Sequence, residues 1–162
     1  MIPPSAPPTP RYDHRQVTWW MRIAFVVVDA AVLAGLRATG ADPAIFTMAA
    51  VTAALVLAVG WVFSSLRVVV DATAVRLAFG AGWPRKALPL AEVTSATPVR
   101  NRWWWGFGIR STPQGWMWNV HGLDAVAVER GPGRPFRIGT DDPEGLTAAI
   151  RGARPTVAAA AR

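Results

Sequence analysis

Cysteine is absent from this 162-residue chain, which removes disulfides, thiolate metal ligands and cysteine nucleophiles together. Histidine occurs twice, so zinc chemistry would have to lean on carboxylates, which is unusual. Charge is also scarce: charged residues make up 17%, below the roughly 25% of a soluble domain. Hydrophobic residues reach 52%, too many for a disordered chain. What charge there is leans basic, with 17 Lys and Arg against 10 Asp and Glu, a net +7.

The apolar residues are concentrated early. Met1 to Pro10 holds five prolines and no charged side chain, and residues 1–17 read as a disordered tail. Ala44 to Leu66 follows with 23 residues and no charge, about 34 Å as a helix, enough for a bilayer core of roughly 30 Å. Residues 18–38 form a weaker span, apolar from Ile23 to Leu36 except at Asp29, with Trp19 and Trp20 suited to a lipid interface. Gly40-Ala41-Asp42-Pro43 makes the turn between them, Asp42 capping the second helix and Pro43 opening it.

These features predict a helical hairpin with membrane helices at 18–38 and 44–66. Arg11, Arg15 and Arg22 precede it and Arg67, Arg76, Arg85 and Lys86 follow it. The positive-inside tendency then puts both termini in the cytoplasm of a multi-pass protein in a bacterial inner membrane. A cleaved signal peptide at residues 1–40 is the rival reading, disfavoured by the charged lead of 22 residues.

An ionisable residue inside a membrane helix is a functional candidate, for a proton relay or transport. Folding the hairpin about its midpoint places Asp29 level with Thr52, whose hydroxyl could donate to it, which makes the pair a structural polar contact instead. Small residues recur four apart at Ala30, Ala34 and Ala38 and at Ala50, Ala54 and Ala58, as closely approaching helices or a homo-oligomer would need.

From Arg67 the helical period disappears. Thirteen basic and seven acidic residues give this part +6, and short alternating runs are broken by Gly and Pro. Strands are predicted at Arg67–Asp71, Val75–Phe79 and Trp103–Arg110, with Ala87–Leu90 and Glu92–Val99 between them as two strands or one bent one. The Trp103–Arg110 strand turns at Thr112–Gly115 into Trp116, Trp118 and Val120. Asp124–Arg130 and Arg134–Ile138 make a final pair. Alternation puts Trp103, Trp105, Phe107 and Ile109 on the core face and Trp104 outward. Asp141-Asp142-Pro143-Glu144 opens a helix whose stripe of Leu146, Ala149 and Ile150 faces the sheet, and the chain from Ala153 reads as a frayed tail.

Val68 to Ala153 resembles the bacterial pleckstrin-homology-like domains of small membrane proteins. The likeness rests on Gly106-Phe107-Gly108-Ile109-Arg110, on Gly115-Trp116-Met117-Trp118-Asn119-Val120 and on Ile138-Gly139-Thr140-Asp141-Asp142-Pro143-Glu144-Gly145-Leu146. The resemblance implies an all-β barrel of about seven antiparallel strands capped by a C-terminal helix, spanning residues 67–152. It transfers no activity, because such folds host unrelated roles. Lipid-binding members gather basic residues at the loop joining their first two strands, and Asp71-Ala72-Thr73-Ala74 has none.

No catalytic set emerges. His121 has Asn119 and Asp124 nearby but no nucleophile elbow, and Gly106-Phe107-Gly108 lacks the third glycine of a dinucleotide loop. The three acids at 141–144 are explained by helix capping. No cofactor, metal or small-molecule substrate is expected. Arg100, Arg102, Trp104 and Arg110 form the candidate surface for anionic lipid or a protein partner. Nucleic acid is disfavoured: Arg outnumbers Lys 16 to 1, as in a GC-rich genome, and membrane tethering explains the charge. The expectation is a non-enzymatic membrane adaptor or scaffold. The alternative is a small transport component working through Asp29.

Overall fold

The structure, a computed structural model, describes residues 10–131 and 133–154. Of the tails expected at residues 1–17 and 153–162, residues 1–9 and 155–162 lie outside the described residues, and Ala153 is not frayed but is the buried last residue of the C-terminal helix.

Two antiparallel strands, β1 (Tyr12–Val17) and β2 (Ser65–Val70), pair in register from Tyr12 opposite Val70 to Val17 opposite Ser65. Between them rises the helical hairpin of α1 (Trp19–Ala38) and α2 (Pro43–Phe63). The hairpin therefore stands where a strand pair would have its turn. One residue joins each strand to its helix, and these two residues bond to each other, the Thr18 amide donating to the Ser64 carbonyl at 2.8 Å. The Thr18 hydroxyl also donates to the carbonyl of Val120 at 2.9 Å, tying the junction to the rest of the fold.

This corrects the expected tail over residues 12–17. The side chains of β1 alternate, Tyr12, His14 and Gln16 turning inward, but two of the three are polar and hide the apolar signal. Their partners are remote in sequence. Gln16 donates to the Gly139 carbonyl at 2.5 Å, His14 meets Asp141 at 2.6 Å, and the Tyr12 hydroxyl donates to Asp142 at 3.2 Å. The second helix also ends earlier than expected, at Phe63. Ser64 turns its hydroxyl back onto the Trp61 carbonyl, and Ser65 and Leu66 belong to β2. An uncharged run cannot by itself show where a helix stops and a buried strand begins.

The helices are long and apolar enough to cross a membrane. Asp42 caps α2, accepting from the Ala44 amide at 2.8 Å, with Pro43 opening the helix as expected. Their mutual face differs from expectation. Phe25, Asp29, Leu33 and Leu36 are the half-covered residues over this length of α1, and Phe46, Ala49, Ala50, Ala53, Leu57 and Gly60 are covered on α2. Ala30, Ala34 and Ala38 are exposed, as are Ala54 and Ala58. Close approach is instead achieved at Gly60, where a Cβ would lie 2.6 Å from the Phe25 ring.

Beyond the hairpin, β2 continues into β3 (Ala74–Phe79) and β4 (Arg85–Pro89), giving a four-stranded sheet in the order β1-β2-β3-β4. The second sheet contains β5 (Val93–Arg100), β6 (Gly108–Thr112), β7 (Gly115–Asn119), β8 (Asp124–Arg130) and β9 (Phe136–Gly139), ordered β5-β8-β9-β7-β6. Seven antiparallel strands in a barrel therefore become two sheets of four and five strands without barrel closure, and β7 and β9 run parallel. The domain also reaches back past residue 67 to include β1.

Inward residues of both sheets share one core. Val75, Leu77 and Phe79 are fully buried, as the alternation predicts, and they join Leu66, Val126 and Ile138. Helix α3 (Pro143–Ala153) buries Leu146 and Ile150 against this core, lying on β5 and β8. Asp142 caps it through the Gly145 amide at 2.9 Å. An aromatic chain links the hairpin to the core: Phe63 to Phe79 at 5.1 Å, Phe79 to Trp118 at 5.1 Å and Trp118 to Phe136 at 6.1 Å between ring centroids.

The Gly60 contact gives a direct test. Gly60→Val should push Phe25 off α2 and destabilise the fold by about 1–3 kcal/mol in equilibrium unfolding, as overpacking does elsewhere. Adding Phe25→Ala should recover part of that loss. Equal stability of Gly60→Val and the parent chain would show that the helices do not meet there.

Candidate functional site

Trp103 and Trp104 are carried beside the base of the hairpin, whereas Trp116, also exposed, lies on the strand Gly115–Asn119. After β5 the chain makes a 3-10 turn at Trp103–Trp105, and β6 begins only at Gly108, so the expected strand over Trp103–Arg110 is corrected. The turn forms because Gly106 and Gly108 take positive φ, +68° and +89°, a region that L side chains avoid. Room for a bulky neighbour is not the reason: nothing lies within 4 Å of a Cβ at Gly108.

With the alternation broken, the three indoles separate. Trp105 is the anchored one. The Arg137 guanidinium stacks on its ring at 5.1 Å and donates to Asn101 at 3.2 Å and to Gln114 at 3.1 Å. Burial pushes the Arg137 guanidinium below its ordinary pKa. Trp103, expected in the core, is 75% exposed, and Trp104 is 56% exposed, as expected but for a different reason.

Of the four predicted surface residues, the structure brings three together on this loop. Arg102 lies over the Trp104 ring at 5.0 Å, and Arg110 donates from Nε to the Phe107 carbonyl at 3.0 Å. Arg100 is set apart, its charge answered by Asp124 at 3.3 Å in an exposed pair. The loop is pinned beside the first turn of α1, where Phe107 meets Trp20 edge-on at 6.4 Å. A cavity of about 460 Å³ opens above Phe107 and Gly108, walled by Met21, Phe25, Val59 and Phe63.

A second turn reaches the same level. A Cβ on Gly80 would sit 3.0 Å from the Val62 backbone, so the turn after β3 lies against the last turn of α2. It carries Trp83, 74% exposed, a residue that sequence reasoning did not single out because a turn offers no periodicity to interpret. Arg85 and Lys86 follow it, both exposed.

The predicted intramembrane pair is not formed. The Thr52 hydroxyl donates to the Met48 carbonyl at 2.8 Å, within its own helix, and Thr52 is exposed. Asp29 Oδ2 is buried, with no hydrogen-bond partner among the described residues.

His14 lies in β1 against Asp141, not in a free tail. His121 is exposed, and its backbone amide is held by Asn119 at 3.2 Å. Burial pushes the Tyr12 hydroxyl up in pKa, reinforced by the charge of Asp142. Among the described residues, no group of three or more His, Asp and Glu converges as metal ligands would.

The loop between β2 and β3, which lacks basic residues, is organised around Asp71. Its carboxylate accepts from the Thr73 hydroxyl at 2.6 Å, from Arg76 Nε at 2.6 Å, and from the Thr73 and Ala74 amides at 2.7 and 2.9 Å. The Thr73 hydroxyl above all, then Arg76 and the two amides, hold this carboxyl well below the usual range against the opposing effect of burial. β2 carries the loop some 20 Å from the hairpin, at about 3.3 Å per residue.

A depressed carboxyl contributes stability that is complete above its unfolded pKa of about 4 and is lost as pH falls towards the folded value. Asp71→Asn should lower stability at neutral pH by about 1–3 kcal/mol. It should also flatten the acid limb of the stability curve below about pH 4. Parallel acid limbs for the two proteins in denaturant titrations would rule out this role. No protein-family model, no curated protein and no solved structure matches this chain.

Proposed function

We propose that this chain is a non-enzymatic, multi-pass membrane protein of the bacterial inner membrane. Its β domain is held on the cytoplasmic leaflet, where it serves as an adaptor or scaffold for protein partners. The exposed apolar side chains of α1 and α2, from Ile23 and Val26 to Val51 and Leu55, support lipid as their solvent. Arginines at positions 11, 15, 22, 67 and 76, with Arg85 and Lys86, support placing both termini on the cytoplasmic side.

The observation that carries this reading is the Trp20–Phe107 contact, which holds the Trp103–Gly106 turn at the foot of α1. With Trp83 beside α2, exposed indoles flank both helices where they enter the β domain. Trp104, Arg102 and Arg110 then form a skirt suited to the headgroup layer: indoles favour the interface, and each nearby basic residue contributes about 1 kcal/mol on an anionic surface. The faces of both sheets away from this skirt remain for a protein partner or a second copy.

The pleckstrin-homology-like reading of the domain is supported by two sheets around one core with a C-terminal helix packed on it. Nine strands and a hairpin inserted between the first two depart from the simple pattern. In that reading the basic surface has moved from the β2–β3 loop, far from the hairpin, to Arg102 and Arg110 beside it.

The absence of native cysteine makes spin labelling direct. A label on Trp103→Cys, in vesicles containing phosphatidylglycerol, should be shielded from a water-soluble relaxant, while one on Ala72→Cys should not. Arg102→Ala with Arg110→Ala should lower leaflet occupancy by roughly 30-fold, about 2 kcal/mol at 1 kcal/mol per charge. Equal accessibility of the two labels would sink the reading.

A second reading is favoured by one observation, the buried and partnerless Asp29 carboxylate oxygen. In it the chain is a small transport or proton-handling component. Under the adaptor reading, proteoliposomes of the wild type leak protons no faster than empty vesicles. Flux that Asp29→Asn abolishes, with abundance unchanged, would transfer the assignment to transport.

A further inference from the structure

A different arginine stands out at the base of the hairpin. Arg22 lies one turn into α1, and its guanidinium is stacked over the Trp61 ring at 3.9 Å and the Trp19 ring at 4.8 Å. Its Nε donates to the Ser64 hydroxyl at 2.7 Å, at the point where α2 gives way to β2. Two aromatic walls and one hydrogen bond fix the plane of the group, yet none of them cancels its charge. Arg67, Arg76, Arg100 and Arg130 each meet a carboxylate, whereas among the described residues no carboxylate pairs with Arg22. A guanidinium has five N–H donors in a planar fork, and among the described residues only the Nε donor has a hydrogen-bond partner.

Beside this cation lies an apolar notch of about 230 Å³ bounded by Trp19, Ile23, Val26, Val27 and Trp61. The notch extends along α1 from the charged group, about 12 Å from Trp19 to Val27 at 1.5 Å per residue. It shares no lining residue with the cavity above Phe107.

We infer that Arg22, clamped between Trp19 and Trp61, binds the phosphate of one anionic phospholipid from the adjoining leaflet, with an acyl chain lying in the Ile23–Val27 notch. The free Nη donors match the spacing of two phosphate oxygens, which Arg engages bidentately. Stacking has already fixed the guanidinium, so binding costs little further ordering of that side chain. A soluble phosphate would satisfy the cation but leave the notch unfilled. A neutral lipid would fill the notch but bring no net charge.

This site rests on the hairpin lying in lipid, but not on the Trp104 surface. Delipidated full-length protein in detergent, titrated with phosphatidylglycerol and observed by native mass spectrometry, should show one saturable site. That site should prefer phosphatidylglycerol to phosphatidylcholine by about tenfold or more. Arg22→Gln removes the charge and should erase most of that preference. Val26→Trp fills the notch without touching Arg22 and should weaken both lipids. Arg102→Ala with Arg110→Ala should leave the site unchanged.

Equal binding of the two lipids, or undiminished binding of both in Val26→Trp, would overturn the inference. Displacement of the lipid by glycerol 3-phosphate at equal concentration would do so too, by making soluble phosphate the ligand. These outcomes are separable from failure of the membrane reading itself, which would appear as a monodisperse protein in buffer without detergent.

Discussion

The pairing of β1 with β2 is the constraint from which the rest follows. A strand pair needs only a short turn to reverse direction, and this chain places two helices of about 30 Å in that position. Because the strands are already bonded up to Val17 and Ser65, the helices leave the sheet side by side from fixed points. Thr18 and Ser64 extend the pairing by one more hydrogen bond, and Phe63 carries the contact into the core through Phe79. The hairpin thus grows from the domain without a flexible linker.

That rigidity gives the surrounding loops their meaning. Had the helices been joined by a loose tether, exposed tryptophans on the β domain would face in no particular direction. Here the loop before β6 and the turn after β3 are each packed against a helix base, through Phe107 on Trp20 and Gly80 on Val62, so the segments that carry Trp103, Trp104 and Trp83 are held at the foot of the hairpin. Arg22 belongs to the same region but differs in kind. Arg102 and Arg110 are spread on an open surface, which suits diffuse electrostatic attraction to an anionic layer. Arg22 is oriented by two rings and a serine, next to an apolar recess. One arrangement suits a surface and the other a single molecule.

Much of this was legible before any coordinates. The helical hairpin, the Asp42–Pro43 and Asp142–Pro143 helix starts, the β2–β3 pair and the buried face of α3 all rest on local rules, either capping chemistry or a hydrophobic period. Three features were not legible, each for an identifiable reason. The inward residues of β1 include His14 and Gln16, whose partners lie more than a hundred residues away, so no apolar alternation marks the strand. The Trp103–Trp105 run alternates well enough to imitate a strand, but the two glycines after it need positive φ and the backbone curls instead. Asp29 and Thr52 are level when the hairpin is folded on paper, yet rotation of α2 about its own axis sets Thr52 outward and leaves its hydroxyl to Met48.

Sequence by itself determined which stretches must be helical, where they are capped, and that the hairpin would present apolar side chains all round, because these depend on neighbours within a turn or two. Tertiary structure decided which tryptophan is anchored and which are free, which arginines are neutralised, and that Arg22 is stacked beside a recess. Those outcomes depend on groups that meet only after distant segments pair, and no spacing along one chain encodes the rotation of a helix or the depth of a notch between two of them.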